Sequence, residues 1–290
     1  MLNCNAAAGG SRLENAPRRW SLLALAAVLS FAAAGCSKLK ARDMLNQGVQ
    51  AYKANQFDTA IEKFKQAKDL DPTLQTARLY LATAYANQYV PGSPDEANLN
   101  KARQAIAEYK DVLQRDPSNL PATDGIGSML YHMAGGPPPK LDLMRESRSY
   151  HQQHIKIKPD DPEPYYWVGE IDWELSYKAN MQARQDYNKD MTAKKQVKVE
   201  DPLPEKLRTP FAATYGADVD EGIAALKKAI ELRPDYDDAM GMLNLLYRQK
   251  ADMVESSDDR AKLLENADAL VKQSIEIKQK KSAQPSTPTS

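Results

Sequence analysis

The sequence predicts an all-α protein, built as a solenoid of about five stacked helix pairs with one long insertion in the fourth pair. Small and apolar residues recur at helical spacing in repeated segments, most of which end at a proline. Glycine is scarce, with 13 residues in 290, and most of the 18 prolines fall between helical phrases, in insertions or near the C-terminus. No alternating apolar pattern long enough for a sheet interrupts these phrases.

The N-terminal residues 1–35 have the build of a secretory signal. Arg18 and Arg19 precede an uncharged run, residues 20–34, which ends just before Cys36. The run is short for a spanning helix, which needs about 20 apolar residues, although an uncleaved anchor stays open as an alternative. Small residues directly before a cysteine resemble the lipobox of bacterial lipoproteins. The resemblance implies cleavage before Cys36 and a lipid on its thiol.

This resemblance also implies an address in the cell envelope. Ser37 follows the cysteine where an aspartate would resemble an inner-membrane retention signal, so we expect the periplasmic face of the outer membrane. Cleavage would remove Cys4 and leave no pair of cysteines for a disulfide. It would also remove three arginines and one glutamate from 39 basic and 39 acidic residues, which leaves a net charge of −2. A near-neutral chain has no general attraction for phosphate backbones, so we expect no nucleic-acid partner.

A short linker, residues 36–40, is predicted to lead into the first helix pair, residues 41–74. Its small, apolar and closing positions are Gly48, Ala60, Phe64, Ala67 and Pro72. These residues resemble the tetratricopeptide repeat, whose period is about 34 residues. The resemblance implies a right-handed solenoid in which the alanines let helices approach closely and Phe64 fills the space between them.

The same phrase recurs along the chain and predicts four further repeats, at residues 75–119, 120–161, 162–236 and 237–279. The third copy is the most eroded. Ser147, His151 and His154 stand where an alanine, a large apolar residue and an alanine are expected. Residues 280–290 are predicted to form a disordered tail.

The fourth repeat contains an insertion of about forty residues beyond the usual period, at about residues 178–216. Its first part continues the helical pattern to about Met191. The sequence then becomes a loop, residues 194–204, because lysines, prolines and acidic residues replace the helical spacing. Loops of this length inside a compact array are usually functional or disordered.

In tetratricopeptide proteins the first helix of each pair lines a concave surface, and the resemblance implies that this groove binds a protein or a peptide segment. Superposing the repeats places ten residues near it: Tyr52, Lys53, Thr83, Asn87, Tyr131, His132, Tyr166, Glu170, Trp173 and Arg248. Aromatic and arginine side chains are favoured anchors at interfaces. Leu45 and Val49 occupy positions where the family's carboxylate clamp needs polar residues, so an apolar or mixed segment is the expected ligand.

Two other interpretations of these side chains stay open at this point. Trp173 and Tyr177 could pack beneath the insertion as ordinary core. With Tyr166 they could instead form an aromatic stripe that stacks on the sugar rings of an envelope glycan.

The sequence contains no motif for a nucleophile, a phosphate loop or a cofactor, so we expect no catalytic activity and no cofactor. The alternative is a metal-binding protein or an enzyme that uses His151 and His154, which are three residues apart on one predicted helix. Surface or groove histidines in an eroded repeat are the simpler interpretation. The preferred hypothesis is a membrane-anchored protein-binding scaffold in an envelope complex of the outer-membrane assembly or the pilus/secretion type.

Overall fold

The computed structural model describes residues 36–135 and 140–283. Within these ranges every regular element is a helix, and no strand is formed. The predicted all-α fold class is therefore confirmed for the described part of the chain. Contacts between Cα atoms divide the chain into two compact units, one ending at Ala84 and the other beginning at Tyr85.

The described ranges contain ten α-helices, and each of the five predicted repeats contains one pair of them. They are α1 (36–53), α2 (Phe57–Leu70), α3 (Gln75–Gln88), α4 (Glu96–Arg115), α5 (Leu120–Ala134), α6 (Leu141–Ile157), α7 (Pro162–Asn188), α8 (Glu205–Leu232), α9 (Asp237–Ala251) and α10 (Ser257–Ala283). We call α1, α3, α5, α7 and α9 the first helices and the others the second helices. None of the described helices is both long enough and apolar enough to cross a membrane.

In the first unit, a tight turn and a close contact bring α1 and α2 together. Asn55 has a positive φ of 58° in the turn between them, a conformation that asparagine tolerates better than most residues. Gly48 of α1 faces Phe64 of α2, and a Cβ atom on Gly48 would lie 2.4 Å from the phenyl ring. Phe64 is fully buried and stacks on Tyr80 with ring centroids 5.5 Å apart. The glycine and the aromatic residue thus work as a pair.

In the second unit, α4 to α10 pack against one another in sequence order, and α7 also contacts α9 directly. The same small-to-large pairing recurs in the fourth repeat, where a Cβ atom on Gly169 would lie 2.3 Å from Cγ of Leu226. Leu226 and Leu246, both fully buried, belong to the apolar core of α8 and α9. Because first helices α7 and α9 are neighbours, their side chains share a surface.

In the insertion, α7 continues to Asn188, residues 189–204 connect the two helices, and α8 begins at Glu205. The sequence pattern predicts a helix to about Met191 and a loop at residues 194–204. Pro210 lies inside α8, where it removes one helix hydrogen bond. Burial of Phe211 and Leu203 against the core of the fourth and fifth repeats offsets that loss.

Two predicted non-helical segments are corrected in part. Residues 36–40 are not a linker but the first turns of α1, held where the Ser37 hydroxyl donates to the carbonyl of Leu70. Residues 280–283, predicted as part of the tail, belong to α10, where Lys281 donates to the Asp235 carbonyl at 2.6 Å and to the Asp237 carboxylate at 2.7 Å. The predicted signal, residues 136–139 and residues 284–290 lie outside the described residues.

Candidate functional site

The first unit contains three of the ten residues predicted to line the groove. Tyr52 is half-buried and meets the ring of Phe57 edge-on at 5.4 Å, while Lys53 is exposed at the end of α1. The hydroxyl of Thr83 donates to the carbonyl of Leu79 on its own helix. The other seven residues belong to the second unit, in which Asn87 is exposed near the end of α3.

A cluster of aromatic and acidic side chains joins α5 to α7 in the second unit. The hydroxyl of Tyr131 donates to Glu170 at 3.0 Å, and its ring meets Trp167 edge-on at 5.4 Å. Tyr166 stacks on Tyr236 at 5.4 Å. Burial, with Glu170 nearby, raises the pKa of both Tyr131 and Tyr166 above the ordinary tyrosine value, so both stay neutral hydrogen-bond donors.

Exposed and half-exposed residues extend this cluster along the first helices. His132 is exposed beside Tyr131 on α5, and Arg248 is exposed on α9, where it donates to Asn244 at 2.9 Å and to Asp268 at 2.5 Å. We define the first-helix surface by five residues of α5, α7 and α9: Tyr131, His132, Tyr166, Glu170 and Arg248.

A pocket with a volume of about 540 Å³ opens between α7, α9, α10 and the connecting loop 189–204. We call it the insertion pocket, and ten residues line it: Trp173, Tyr177, Val199, Glu200, Leu245, Arg248, Gln249, Asp252, Arg260 and Leu264. Trp173 and Tyr177 stack on each other with centroids 4.8 Å apart and an angle of 17° between the rings. They are half-buried and therefore neither fully part of the core nor free in solution.

The loop wall of this pocket is held by Arg184, whose side chain is almost completely buried. Its guanidinium group donates to the carbonyl oxygens of Lys198 at 2.5 Å and Asp201 at 3.0 Å. It also donates to Asn180 at 2.7 Å and to the Asp252 carboxylate at 2.8 Å. One arginine therefore ties the connecting loop to both α7 and the end of α9.

A second tie fixes the loop near its middle. The side-chain amide of Asn188 makes two hydrogen bonds to the backbone of Val197: it accepts from the N–H at 2.8 Å and donates to the carbonyl at 2.9 Å. Asn180, Arg184 and Asn188 follow one another at a spacing of four residues, which places them on one face of α7. This polar stripe is the sequence signal that could have identified the helix face under the insertion.

The structure brings together two of the predicted groove residues, Trp173 and Arg248, at the insertion pocket. Tyr166 stacks on Tyr236, whereas Trp173 stacks on Tyr177. The three side chains proposed as one aromatic stripe therefore belong to two separate ring pairs. Gln249 and Arg260 are not among the residues that the sequence predicts for the groove. Neither residue belongs to a motif, and only the folding of α9 and α10 against the insertion brings them to the pocket.

The two neighbouring histidines do not lie on a surface or in the groove. His151 is 1% exposed, stacks on Trp167 at 5.6 Å, and would meet a Cβ atom on Gly127 at 2.8 Å. His154 is 4% exposed and bonds Asp124 through Nδ1 at 2.7 Å. The prediction of exposed histidines is therefore wrong, because the core of the third repeat uses imidazole rings where other repeats use apolar side chains.

The metal alternative draws no support from these histidines. Among the described residues, the group with metal-ligand geometry is instead acidic and consists of Asp172, Asp218 and Glu221. The guanidinium of Arg148 lies among these carboxylates, bonded to Asp172, and at 2.7 Å from Asp218 and 3.7 Å from Glu221. The positive charge of Arg148 offsets part of the negative charge of the cluster, and these residues join α6, α7 and α8 as a partly buried salt-bridge network.

No family model matches the chain, and no curated protein matches it. Solved structures do. The crystal structure of MamA protein covers 87% of this chain and 98% of its own, with a TM-score of 0.53 and 16% identity. MamA 41-end from Desulfovibrio magneticus RS-1 covers 84% and 98%, with a TM-score of 0.53 and 14% identity. At such identities the likeness concerns the fold alone. With the repeated helix pairs, it shows that this chain has the helical-repeat fold of tetratricopeptide proteins.

Proposed function

We propose that the protein is a non-catalytic, membrane-anchored scaffold that binds another protein along its first helices, in an envelope complex of the outer-membrane assembly or the pilus/secretion type. The observation that carries this proposal is the first-helix surface. It combines half-exposed tyrosines with acidic and basic side chains on helices that share one face. Such a mixture of tyrosine and arginine is typical of protein interfaces.

The chemistry of the titratable clusters supports a scaffold over an enzyme. Arg148 forms ion pairs with the acidic cluster, and His151 is enclosed by Trp167 and the backbone of α5. Both arrangements stabilise helix packing, and neither Arg148 nor His151 lines the insertion pocket. The insertion pocket has polar groups but no pair of nucleophile and base among its lining residues.

Membrane anchoring through Cys36 is part of the same proposal. Cys36 is exposed and carries a free thiol at the beginning of the described part of α1. The basic and uncharged sequence before it resembles a lipoprotein signal, and a lipid on this cysteine would attach the protein to the periplasmic face of the outer membrane. The several acyl chains of such an anchor make release from the membrane negligible.

Site-specific photo-crosslinking in intact cells tests the binding surface. A photoreactive amino acid replaces His132 or Arg248, which are exposed on first helices α5 and α9. In the matched controls it replaces Ala107 or Ala224, which are exposed on second helices α4 and α8. We expect the same partner, identified by mass spectrometry, from both first-helix positions and from neither control.

Two results would contradict the proposal. Equal crosslinking from all four positions would indicate non-specific contact. Absence of any crosslinked protein, with the chain shown to be present in the membrane fraction, would remove the scaffold hypothesis.

A further inference from the structure

The insertion pocket has the size and the walls of a site for a small molecule. Its volume of about 540 Å³ falls within the range of roughly 300–1,000 Å³ that is typical of ligand pockets. The stacked rings of Trp173 and Tyr177 form one wall, while Leu245 of α9 and Leu264 of α10 contribute apolar surface. A flat or branched apolar body fits this environment.

The polar groups that line the pocket without a partner are donors. Gln249 is 5% exposed, and its Nε2 has no hydrogen-bond acceptor among the described residues. Nε of Arg260 is also buried without an acceptor, although another nitrogen of that side chain donates to the Glu200 carbonyl at 3.2 Å. A buried donor without an acceptor is costly, so a ligand that brings an acceptor gains both bonds.

The acceptors of the pocket are already used or lie in solvent. Asp252 accepts from Asn180 at 3.1 Å and from Arg184 at 2.8 Å, and the side chain of Glu200 is 71% exposed. Within the described residues, Arg248 has a carboxylate partner in Asp268, whereas Arg260 has no carboxylate within salt-bridge distance, although its charge acts on the nearby Asp252 carboxylate. An acceptor from a ligand would pair with the two buried donors, and a carboxylate suits a guanidinium better than a neutral carbonyl does.

We propose that the insertion pocket binds a small apolar carboxylate, whose body lies against Trp173 and Tyr177 and whose carboxylate accepts from Gln249 and Arg260. Since Arg184 fixes the loop wall, the insertion serves to complete this site. The binding of a partner protein along the first helices is a separate property; Arg248 belongs to both surfaces, and the variants that test this pocket leave it unchanged. The C-terminal residue of a peptide offers the same chemistry, and the test below distinguishes it from a free acid.

The test measures binding to the purified full chain in detergent by calorimetry, with 4-phenylbutyrate as the probe. Its matched probes are 4-phenyl-1-butanol, which lacks the charge, and 4-phenylbutylamine, which reverses it. We expect the acid to bind about tenfold more tightly than the alcohol, since a hydrogen bond to a charged group contributes that much, and the amine not to bind.

Three variants separate the parts of the site. Arg260→Gln and Gln249→Leu are expected to reduce the affinity of the acid to that of the alcohol and to leave the alcohol unchanged. Trp173→Ala is expected to weaken both probes. Lys272→Gln removes a charge from an exposed position of the same helix as Arg260 and serves as the control, with no change expected.

The proposal is overturned if the acid and the alcohol bind equally, if no probe binds, or if Arg260→Gln leaves the acid unaffected while melting curves show a folded chain. Acetyl-Ala-Ala-Phe with a free carboxylate completes the test. If this peptide binds and 4-phenylbutyrate does not, the site recognises a chain end and the assignment to a small acid is wrong.

Discussion

At single positions, the packing between helices depends on glycines, which let a large side chain of the neighbouring helix approach the backbone closely. Gly169 of α7 lies against Leu226 of α8, and Gly48 of α1 lies against Phe64 of α2. In both pairs the small residue belongs to a first helix and the large one to the second helix of the same repeat. Close approach is needed at these positions, because any Cβ atom would overlap a buried side chain.

We therefore expect Gly169→Ala to lower the free energy of unfolding by about 1–3 kcal/mol, the usual cost of overpacking a core. Gly241→Ala is the matched control. A Cβ atom there meets nothing within 4 Å, so we expect the higher helix propensity of alanine to raise stability by up to about 1 kcal/mol. Chemical denaturation of both variants checks this prediction, and equal effects would contradict it.

His151 illustrates how burial changes the chemistry of one residue. Burial lowers the pKa of this histidine from 6.5 to about 4, and nearby His154 adds to the effect. The folded protein therefore keeps the imidazole neutral, whereas the unfolded chain binds a proton at the ordinary pKa. The stabilising contribution is complete above pH 6.5 and is lost as the pH falls from 6.5 towards 4.

The pH dependence of unfolding for the wild type and for His151→Leu tests this prediction. Between pH 7 and 4.5, we expect the wild type to lose roughly 2–3 kcal/mol more than the variant, since each unit of pKa shift corresponds to about 1.4 kcal/mol. Other titrating groups act equally in both proteins and cancel in the difference. Parallel pH profiles would show that His151 is not buried in its neutral form.

At the scale of elements, the long α7 and α8 support a connecting loop that would have little structure by itself. Arg184 replaces a missing apolar core there, because its donors satisfy two loop carbonyls and the carboxylate of Asp252 at the same time. Removing one partner from such a buried pair is strongly destabilising, since it leaves the other charge unpaired.

We expect Arg184→Met to lower the free energy of unfolding by about 3 kcal/mol and to release the connecting loop, so that a protease cleaves it faster. Limited digestion with a lysine-specific protease measures the second effect, because Lys194, Lys195 and Lys198 are exposed on this loop. Arg103→Met is the control, since the exposed pair of Arg103 with Glu96 on α4 contributes little. A digestion rate that is equal in the two variants would contradict the role of Arg184.

For the whole molecule, the proposed lipid site at Cys36 and the first repeat are directly connected. Because Cys36 is already helical, no flexible linker separates the predicted lipid from α1 in the described chain. An acylated chain would then hold its first repeat close to the bilayer surface.

Cys36→Ser tests the anchor. We expect loss of metabolic labelling with palmitate and transfer of the protein from the membrane to the soluble fraction, because no thiol is left to carry the lipid. Ser37→Ala keeps the thiol and serves as the control. If Cys36→Ser stays in the membrane fraction without labelling, the N-terminal apolar run acts as an uncleaved anchor instead.

The sequence by itself determined the helical repeats. Residues such as Gly48, Phe64 and Ala67 recur at the spacing that two packed helices require. This spacing is local, so the helix pairs can be predicted from the sequence alone. The same local pattern predicts surface or groove histidines at His151 and His154, whose rings are buried by the packing of the third repeat.

Only the tertiary structure decided which side chains meet at the insertion pocket. Trp173, Arg248 and Arg260 are separated by many residues and come from three helices. Their juxtaposition depends on how α9 and α10 pack against the lengthened α7 and on the hydrogen bonds of Arg184. Contacts between residues far apart in the sequence produce no periodic pattern, because the residue type at one position does not constrain the types of its neighbours along the chain.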